Sequence, residues 1–287
     1  MVARACQATY IFGVLPFRKM NGLGNDFVVL DARREAIDLI AAQAVAIADR
    51  RRGVGCDQIL IMKPSAGADC FMEIINPDGT FSSACGNGTR CVARLLINET
   101  GAKVVRIKTD AGVLVCEDVD DGRSVRVNMG APKFDWREIP MAESGDTLNI
   151  PFPNLPDACA VNMGNPHVVF FVENVEKVDL ARTGPTIENH PLFPERTNTE
   201  FCQVLGEHKI RMRVWERSAG ITQACGSGAC AVLVAAVRRG LVKDYAEIIL
   251  DGGVLHIEWR TSDSCVYMTG PTQHSFSGIL EPGLLQP

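Results

Sequence analysis

The chain has 287 residues, enough for two domains of ordinary size that each bury a core without disulfides or a bound metal. Hydrophobic residues make up 46% of it and charged residues 22%, and the net charge of -5 is not concentrated in blocks. A nucleic-acid partner is therefore not expected, because such partners bind clustered positive charge. The longest apolar run, residues 229–237, is far shorter than the roughly 20 residues that span a bilayer, so we predict no transmembrane helix.

The N-terminus and the cysteines indicate the compartment. Residues 1–16 carry one Arg and a broken apolar stretch, a poor match to a secretory signal, and we expect a ragged extension there. The 11 cysteines are an odd number in a chain too long for a disulfide-stapled scaffold, which favours reduced thiols in a cytoplasmic protein. We predict no metal, because Cys85 with Cys91 and Cys225 with Cys230 lack the usual Cys-x2-Cys spacing.

In chain order, the first half predicts strands, then a helix, then a hairpin. Residues 57–62 (DQILIM) and 70–75 (CFMEII) are β-branched or alternate between apolar and polar, which is typical of strands. Residues 91–101 (CVARLLINETG) predict a helix that ends at its terminal glycine. Residues 104–119 predict a hairpin with a glycine in its turn.

The second half follows the same order. Residues 211–215 (RMRVW) alternate as a strand does, and residues 229–240 (ACAVLVAAVRRG) predict an apolar helix with Gly240 placed to cap it. Residues 246–259 predict a second hairpin. The Pro-rich stretch IPFPNLP, residues 150–156, lies between the two patterns and is typical of a domain boundary.

The order recurs because the sequence repeats itself. ACGNGTRCV, beginning at Ala84, returns as ACGSGACAV, beginning at Ala224, and other matches keep the same offset of about 140 residues. We therefore predict two homologous domains, residues 1–132 and 133–287. The expected fold is mixed α/β (α+β): each domain is a mostly antiparallel sheet wrapped around a central helix. The two domains would be related by pseudo-symmetry, with an active site in the cleft between them.

Each Cys-Gly-x-Gly turn precedes an apolar helix, so Cys85 and Cys225 are predicted at helix N-termini. There the free backbone N–H groups and the helix dipole favour negative charge, and a thiol pKa of about 8.5 can fall to roughly 3.5–7.5. We therefore expect a thiolate at one of them at neutral pH. Two cysteines on opposite faces of one ligand suit inversion of a stereocentre, since a base removes the proton from one face and an acid supplies one to the other.

Several segments resemble the diaminopimelate epimerase family, in order and over nearly the whole chain: KMNGLGNDFVVLD, GCDQILI, NPDGTFSSACGNGTRC, MGNPHVV, ERTNTEF and WERSAGITQACGSGACA. The resemblance implies an isomerase that interconverts LL- and meso-2,6-diaminopimelate for lysine and peptidoglycan-precursor biosynthesis. It implies acid/base catalysis by one thiolate and one thiol, no pyridoxal phosphate or other cofactor, and a cytoplasmic homodimer. It also implies that the final segment packs back on the first domain.

The resemblance also assigns residues. Cys85 and Cys225 become the acid/base pair. The carboxylate at the reacting centre would be held by Gly86, Asn87, Gly226 and Ser227. The amino group of that centre would be held by Asn76 and Glu216. The distal end of the substrate would be held by Asn25, Asn165, Asn198 and Arg217, with Gln58 nearby.

Other expectations are less specific. We expect His167 to be an ordinary core histidine and residues 50–52 (RRR) to be a solvated helix end without a role. Two positions depart from the family pattern: Asn21 replaces a common His, and Ile221 replaces a common Glu. The Ile221 replacement removes a carboxylate near the second cysteine.

Alternative functions remain open. The same scaffold would serve a proline or hydroxyproline racemase, although a cyclic imino acid offers no distal groups to Arg217. A thiol redox protein would oxidise Cys85 and Cys225 to a reversible disulfide. A non-catalytic amino-acid-binding module would need only the amide and arginine side chains.

Overall fold

The computed structural model describes residues 15–286. Most of the predicted N-terminal extension lies outside the described residues, but Leu15 and Pro16 belong to the first strand, so that prediction is two residues too long. The first half contains β1 (Leu15–Gly22), β2 (Asn25–Asp31), α1 (Ala41–Ala48), β3 (Gln58–Lys63), β4 (Cys70–Ile75), β5 (Phe81–Ser82), α2 (Gly86–Thr100), β6 (Val104–Thr109), β7 (Gly112–Val119) and β8 (Ser124–Asn128).

The second half repeats this order and adds one strand. It contains β9 (Ala158–Asn162), β10 (Pro166–Phe171), α3 (Leu180–Glu188), β11 (Asn198–Gly206), β12 (Lys209–Glu216), β13 (Gly220–Ile221), α4 (Gly226–Arg238), β14 (Tyr245–Leu250), β15 (Gly253–Trp259), β16 (Val266–Pro271) and β17 (Gln273–Leu280). None of the helices within residues 15–286 is both long and apolar enough to cross a bilayer.

The predicted elements are present, and the two apolar helices begin earlier than their hydrophobic patterns suggest. The helix predicted from residue 91 starts at Gly86, and the one predicted from residue 229 starts at Gly226. The reason is local: the sulfur of the preceding cysteine accepts the backbone N–H of Gly88 or Gly228, which caps the helix at the glycine-rich turn. Apolar periodicity does not register glycines, and it therefore missed the first turn.

Both halves use the same sheet topology. In the first half β2 pairs with β3 and β4 with β6 in parallel, and the remaining pairs are antiparallel. In the second half β10–β11 and β12–β14 are the parallel pairs. Antiparallel pairing of β8 with β16 joins the halves into one sheet system, and β17 pairs with β1 of the first half.

The core lies around α2 and α4. Val92 and Leu96 of α2, and Val232 and Leu233 of α4, belong to one continuous cluster of buried side chains from both halves. Each helix contacts strands of its own half on several sides, and the two helices also contact each other. The predicted fold class is confirmed: two repeated α/β units, each with a sheet around a central helix.

Gly101 ends α2 in the left-handed conformation, with φ 71°. A Cβ built there meets no atom within 4 Å, so the cost of Gly101→Ala comes from the backbone alone. We predict a loss of about 1 kcal/mol in the free energy of unfolding, measured by urea denaturation. Gly145→Ala is the matched control, because Gly145 is equally open and lies outside the left-handed region; it should be neutral or slightly stabilising. Equal stability of the two variants would contradict the assignment.

Candidate active site

A cleft of about 1370 Å3 lies between the two halves. Its walls include every residue that the sequence predicts for the site: Asn25, Gln58, Asn76, Cys85, Gly86, Asn87, Asn165, Asn198, Glu216, Arg217, Cys225, Gly226 and Ser227. The folding of the two repeats thus brings together residues that are up to 202 positions apart in sequence. The remaining walls include residues that the sequence did not single out, among them Lys19, Asp26, Arg50 and Asp57.

The two cysteines are equivalent in position. Cys85 is the N-cap of α2, and its sulfur accepts a hydrogen bond from the backbone N–H of Gly88 at 3.3 Å. Cys225 is the N-cap of α4 and accepts from Gly228 N–H at 3.4 Å. The Cys225 sulfur is also 3.6 Å from the Ser227 hydroxyl. Each thiol therefore faces the free N–H groups of a helix start, as the sequence predicts.

The expected lowering of the thiol pKa is not found. Burial raises the pKa of Cys85 to about 12, and the negative charge of Glu216 adds to that effect. The Gly88 N–H and the guanidinium of Arg90 oppose it without cancelling it. Burial also raises the pKa of Cys225 well above its ordinary value, with Glu216 and Glu200 adding to the rise. Loss of solvation thus outweighs the helix N-terminus in this conformation, and both thiols are neutral at pH 7.

Glu216 and Asn76 lie at equivalent ends of their strands. Glu216 accepts a hydrogen bond from the Thr222 hydroxyl, and burial raises the pKa of its carboxyl. Asn76 accepts from the Gln58 amide at 3.0 Å and donates to the Thr80 hydroxyl at 3.1 Å. Thr222 and Thr80 orient these two groups, and nothing in a single sequence marks them as partners.

Asn198 and Arg217 form the opposite wall. The Asn198 amide donates to Pro166 O at 2.8 Å and accepts from the backbone N–H of Arg217 at 2.9 Å, which fixes where Arg217 leaves its strand. The guanidinium donates to Glu195 O at 3.0 Å and lines the cleft.

His167 lies behind the cleft wall and is fully buried, as expected of a core histidine. Its Nδ1 is 2.7 Å from the Glu200 carboxylate and its Nε2 is 2.9 Å from the Asn165 amide oxygen. Its contacts orient Asn165 from the rear.

Arg50 belongs to residues 50–52, for which the sequence predicts a solvated helix end. Its side chain is exposed, and it also pairs with Asp26 at 2.6 Å and with Asp57 at 2.7 Å. Although burial opposes it, the hydrogen bonds from Arg50 and Lys19 lower the pKa of Asp26 to about 2. These ion pairs line the cleft beside Asn25. Only tertiary contact joins these residues, so no local sequence pattern predicts their pairing.

Asn21 and Ile221 are the two positions that depart from the pattern expected for the site. Both residues line the cleft, and Ile221 is exposed there, so the departures alter its walls.

Within residues 15–286, no three or more His, Cys, Asp or Glu side chains gather as a metal site would need, and Cys85 and Cys225 are not joined by a disulfide.

A model of the family described as diaminopimelate epimerase matches residues 17–134 and 159–275, which covers both repeats. The chain belongs to the diaminopimelate epimerase family. It is 56% identical over 273 residues to a diaminopimelate epimerase of Rhodospirillum centenum, covering 94% of this chain and 93% of the relative. It is 52% identical to one of Acidiphilium cryptum, covering 95% and 98%. Because members of the diaminopimelate epimerase family are epimerases, the prediction of an isomerase is confirmed.

Solved structures extend the fold beyond the diaminopimelate epimerase family. A hydroxyproline epimerase from Agrobacterium vitis superposes with a TM-score of 0.68 at 16% identity, covering 93% of this chain and 92% of its own. A PhzF-family phenazine biosynthesis protein from Bacillus anthracis superposes with a TM-score of 0.67 at 14% identity, covering 94% and 100%. At these identities the likeness concerns the fold alone.

The raised thiol pKa values predict slow alkylation. The rate constant for iodoacetamide at Cys85, followed by peptide mass spectrometry, should keep rising from pH 7 to pH 10, because only the thiolate reacts and its fraction grows as pH approaches about 12. A small free thiol with a pKa of about 8.5, measured in parallel, should level off in that range. A plateau for Cys85 below pH 8 would contradict the burial argument.

Proposed function

We propose that this chain interconverts LL-2,6-diaminopimelate and meso-2,6-diaminopimelate by a cofactor-independent, two-base proton transfer. One observation carries the proposal: each repeat contributes one helix-capping cysteine, and both cysteines line the same cleft. Family membership supports the substrate, since the relatives at 52–56% identity bear the name diaminopimelate epimerase.

In the proposed step the α-carbon loses one proton and gains one, and so does the pair of sulfur atoms. One cysteine, as thiolate, removes the α-proton and becomes a thiol, while the opposite thiol gives its proton to the other face of the carbon and becomes a thiolate. Each turnover therefore leaves the enzyme ready for the reverse direction. Because both thiols are neutral in the resting enzyme, one of them has to release its proton to solvent as the substrate binds. The α-ammonium group of the substrate would favour this ionisation, since it would offset the negative charge of Glu216, which adds to the effect of burial on both thiol pKa values.

The cleft offers groups for each charge of the substrate. The α-carboxylate would accept from the backbone N–H groups of Gly86, Asn87, Gly226 and Ser227, where two helix N-termini concentrate positive potential. The α-ammonium group would donate to Asn76 and Glu216. The distal carboxylate and ammonium would contact Arg217, Asn25, Asn165 and Asn198, with Gln58 supporting Asn76.

The other candidate functions fit less well. A proline or hydroxyproline substrate would leave Arg217 and the distal amides without a partner, although the fold is shared with such enzymes. A redox or a purely binding role would not require two capped thiols beside a carboxylate-binding helix start. A homodimer, a cytoplasmic location and a place in lysine and peptidoglycan-precursor biosynthesis complete the proposal, on family resemblance.

The direct test uses reduced protein with LL-diaminopimelate in D2O, followed by proton NMR. We expect meso-diaminopimelate carrying α-deuterium from the wild type. Cys85→Ala and Cys225→Ala should each lower the rate by at least about a hundredfold, because each removes one proton carrier. Cys265→Ala is the control, since that half-buried thiol lies outside the cleft, and it should keep full activity.

Three results would count against the proposal. Full activity in either cleft variant would remove the two-base mechanism. No exchange with diaminopimelate, but exchange with L-proline or trans-4-hydroxy-L-proline, would move the protein to the alternative substrate class. A wild-type protein that is active only after oxidation would favour the redox role.

Substrate recognition gives a second test. Arg217→Gln should raise KM for diaminopimelate by about tenfold or more, with a smaller effect on kcat, because the lost charged hydrogen bonds hold the distal end and not the reacting carbon. Arg213→Gln is the matched control: Arg213 lies on β12, which ends one residue before Arg217, and it donates to Val175 O and Val178 O outside the cleft. Equal KM values in the two variants would exclude Arg217 from substrate binding.

A further inference from the structure

A chain of hydrogen bonds connects the two cysteine turns through Asn25. The Asn25 amide nitrogen donates to Asp57 Oδ2 at 2.9 Å, and its amide oxygen is 4.0 Å from the Cys85 sulfur. The same oxygen accepts from the Asn87 amide nitrogen at 3.2 Å, and that nitrogen also donates to Ala224 O at 3.0 Å. Ala224 directly precedes Cys225. Two side-chain amides, those of Asn25 and Asn87, thus connect the first thiol to the turn that carries the second.

Chemistry at both ends fixes the direction of this chain. Asp57 is paired with Arg50 and is therefore a carboxylate, which only accepts, so the Asn25 atom facing it must be the nitrogen. At the other end, Ala224 O also only accepts, so the Asn87 atom facing it must be a donor. The same Asn87 amide nitrogen also donates to Asn25, so the Asn25 atom that faces Asn87 must be the oxygen. Two independent acceptors give the same orientation.

Asp57 itself is held from three sides. Its Oδ1 accepts from the Arg50 guanidinium at 2.7 Å, its Oδ2 accepts from Asp26 N–H at 3.0 Å, and its own N–H donates to Asp26 Oδ1 at 3.1 Å. The Asp57 carboxylate makes no hydrogen bond to Cys85. Its effect on the thiol must pass through Asn25.

We propose that Asp57 is a positioning residue for the epimerisation: by holding the amide nitrogen of Asn25, it keeps the amide oxygen towards the Cys85 thiol and Asn87. An oxygen facing the sulfur accepts from the neutral thiol and disfavours the thiolate, whereas an NH2 group would stabilise the thiolate. Asp57 therefore helps to keep Cys85 protonated until substrate binds. The proposed function supplies the reaction in this inference, but the orientation stands on the contacts alone.

Among the described residues, the second repeat has no counterpart of the hydrogen bond between Asn25 and Asp57. The position equivalent to Asp57 is Thr197, whose hydroxyl donates to Asn198 O, and the oxygen of Asn165 contacts His167 instead of a thiol. The two otherwise equivalent cysteines thus have different neighbours. Cys85 has an amide oxygen as its neighbour, whereas Cys225 has the Ser227 hydroxyl at 3.6 Å.

The test measures thiol reactivity in Asp57→Ala. Alanine removes the acceptor that holds the Asn25 amide nitrogen, so the Asn25 amide is free to rotate and turn its NH2 to Cys85. The iodoacetamide rate constant of Cys85 at pH 8 should rise about tenfold, which corresponds to a fall of about one unit in thiol pKa. The charged groups that face Cys85, Glu216 and Arg90, are unchanged in this variant.

Controls separate orientation from loosening of the fold. Asp31→Asn removes another Arg-paired carboxylate at the far end of β2 and should leave the Cys85 rate unchanged. In an Asn25→Ala background, Asp57→Ala should add no acceleration, because the amide that it frees is gone. If Asp57→Ala gives too little folded protein, Asp57→Leu keeps more of the side-chain volume, also lacks an acceptor, and should act in the same direction.

An unchanged Cys85 rate in Asp57→Ala would overturn the inference, as would equal acceleration of Cys225 or full acceleration in the Asn25→Ala background. These alkylation rates do not depend on turnover. If the wild type fails to epimerise diaminopimelate while the alkylation pattern holds, the proposed function fails and the orientation of Asn25 by Asp57 stands.

Discussion

The site depends on one constraint: two buried helices must begin at the same cleft. α2 and α4 are enclosed by the sheets of their own halves, so their directions are fixed by packing and not by the ligand. The packing of the helices therefore places their N-caps, Cys85 and Cys225, at the cleft between the halves. Burial of apolar side chains along the helices supplies the free energy that holds the thiols in place.

The same burial creates an electrostatic problem. Helix N-termini favour a thiolate, yet loss of water costs more, and both thiols are neutral in this conformation. Arg90 partly compensates for Cys85, since its guanidinium is fully buried on the same helix. A neutral resting pair suits an enzyme whose substrate brings its own ammonium group. Under the proposed mechanism the ionisation of the first thiol is coupled to substrate binding, and neutral thiols in the resting enzyme would oxidise more slowly than a thiolate.

Much of the fold and of the site could be predicted from the sequence, because local sequence patterns recur in both repeats. The strands at residues 57–62 and 70–75 and the glycine turns before both helices follow from short-range signals, and the repeat itself implies that Cys85 and Cys225 face each other. What could not be predicted depends on tertiary contacts. The ion pair of Arg50 with Asp26 forms only because β2 brings Asp26 beside it, and the thiol pKa values depend on how completely the cleft is closed. The pairing of β8 with β16, which joins the halves, is also not indicated by the sequence of either strand.

The isotope content of unreacted substrate tests the account most directly. LL-diaminopimelate would be converted by the wild-type protein in D2O and sampled by proton NMR while conversion is below about 10%. If separate thiols remove and supply the proton, the meso product carries deuterium at the inverted carbon while the remaining LL substrate retains hydrogen there. Deuterium accumulating in the LL substrate as fast as product forms, or product that retains the original hydrogen, would mean that a single group works on both faces, and the two-cysteine account would be wrong.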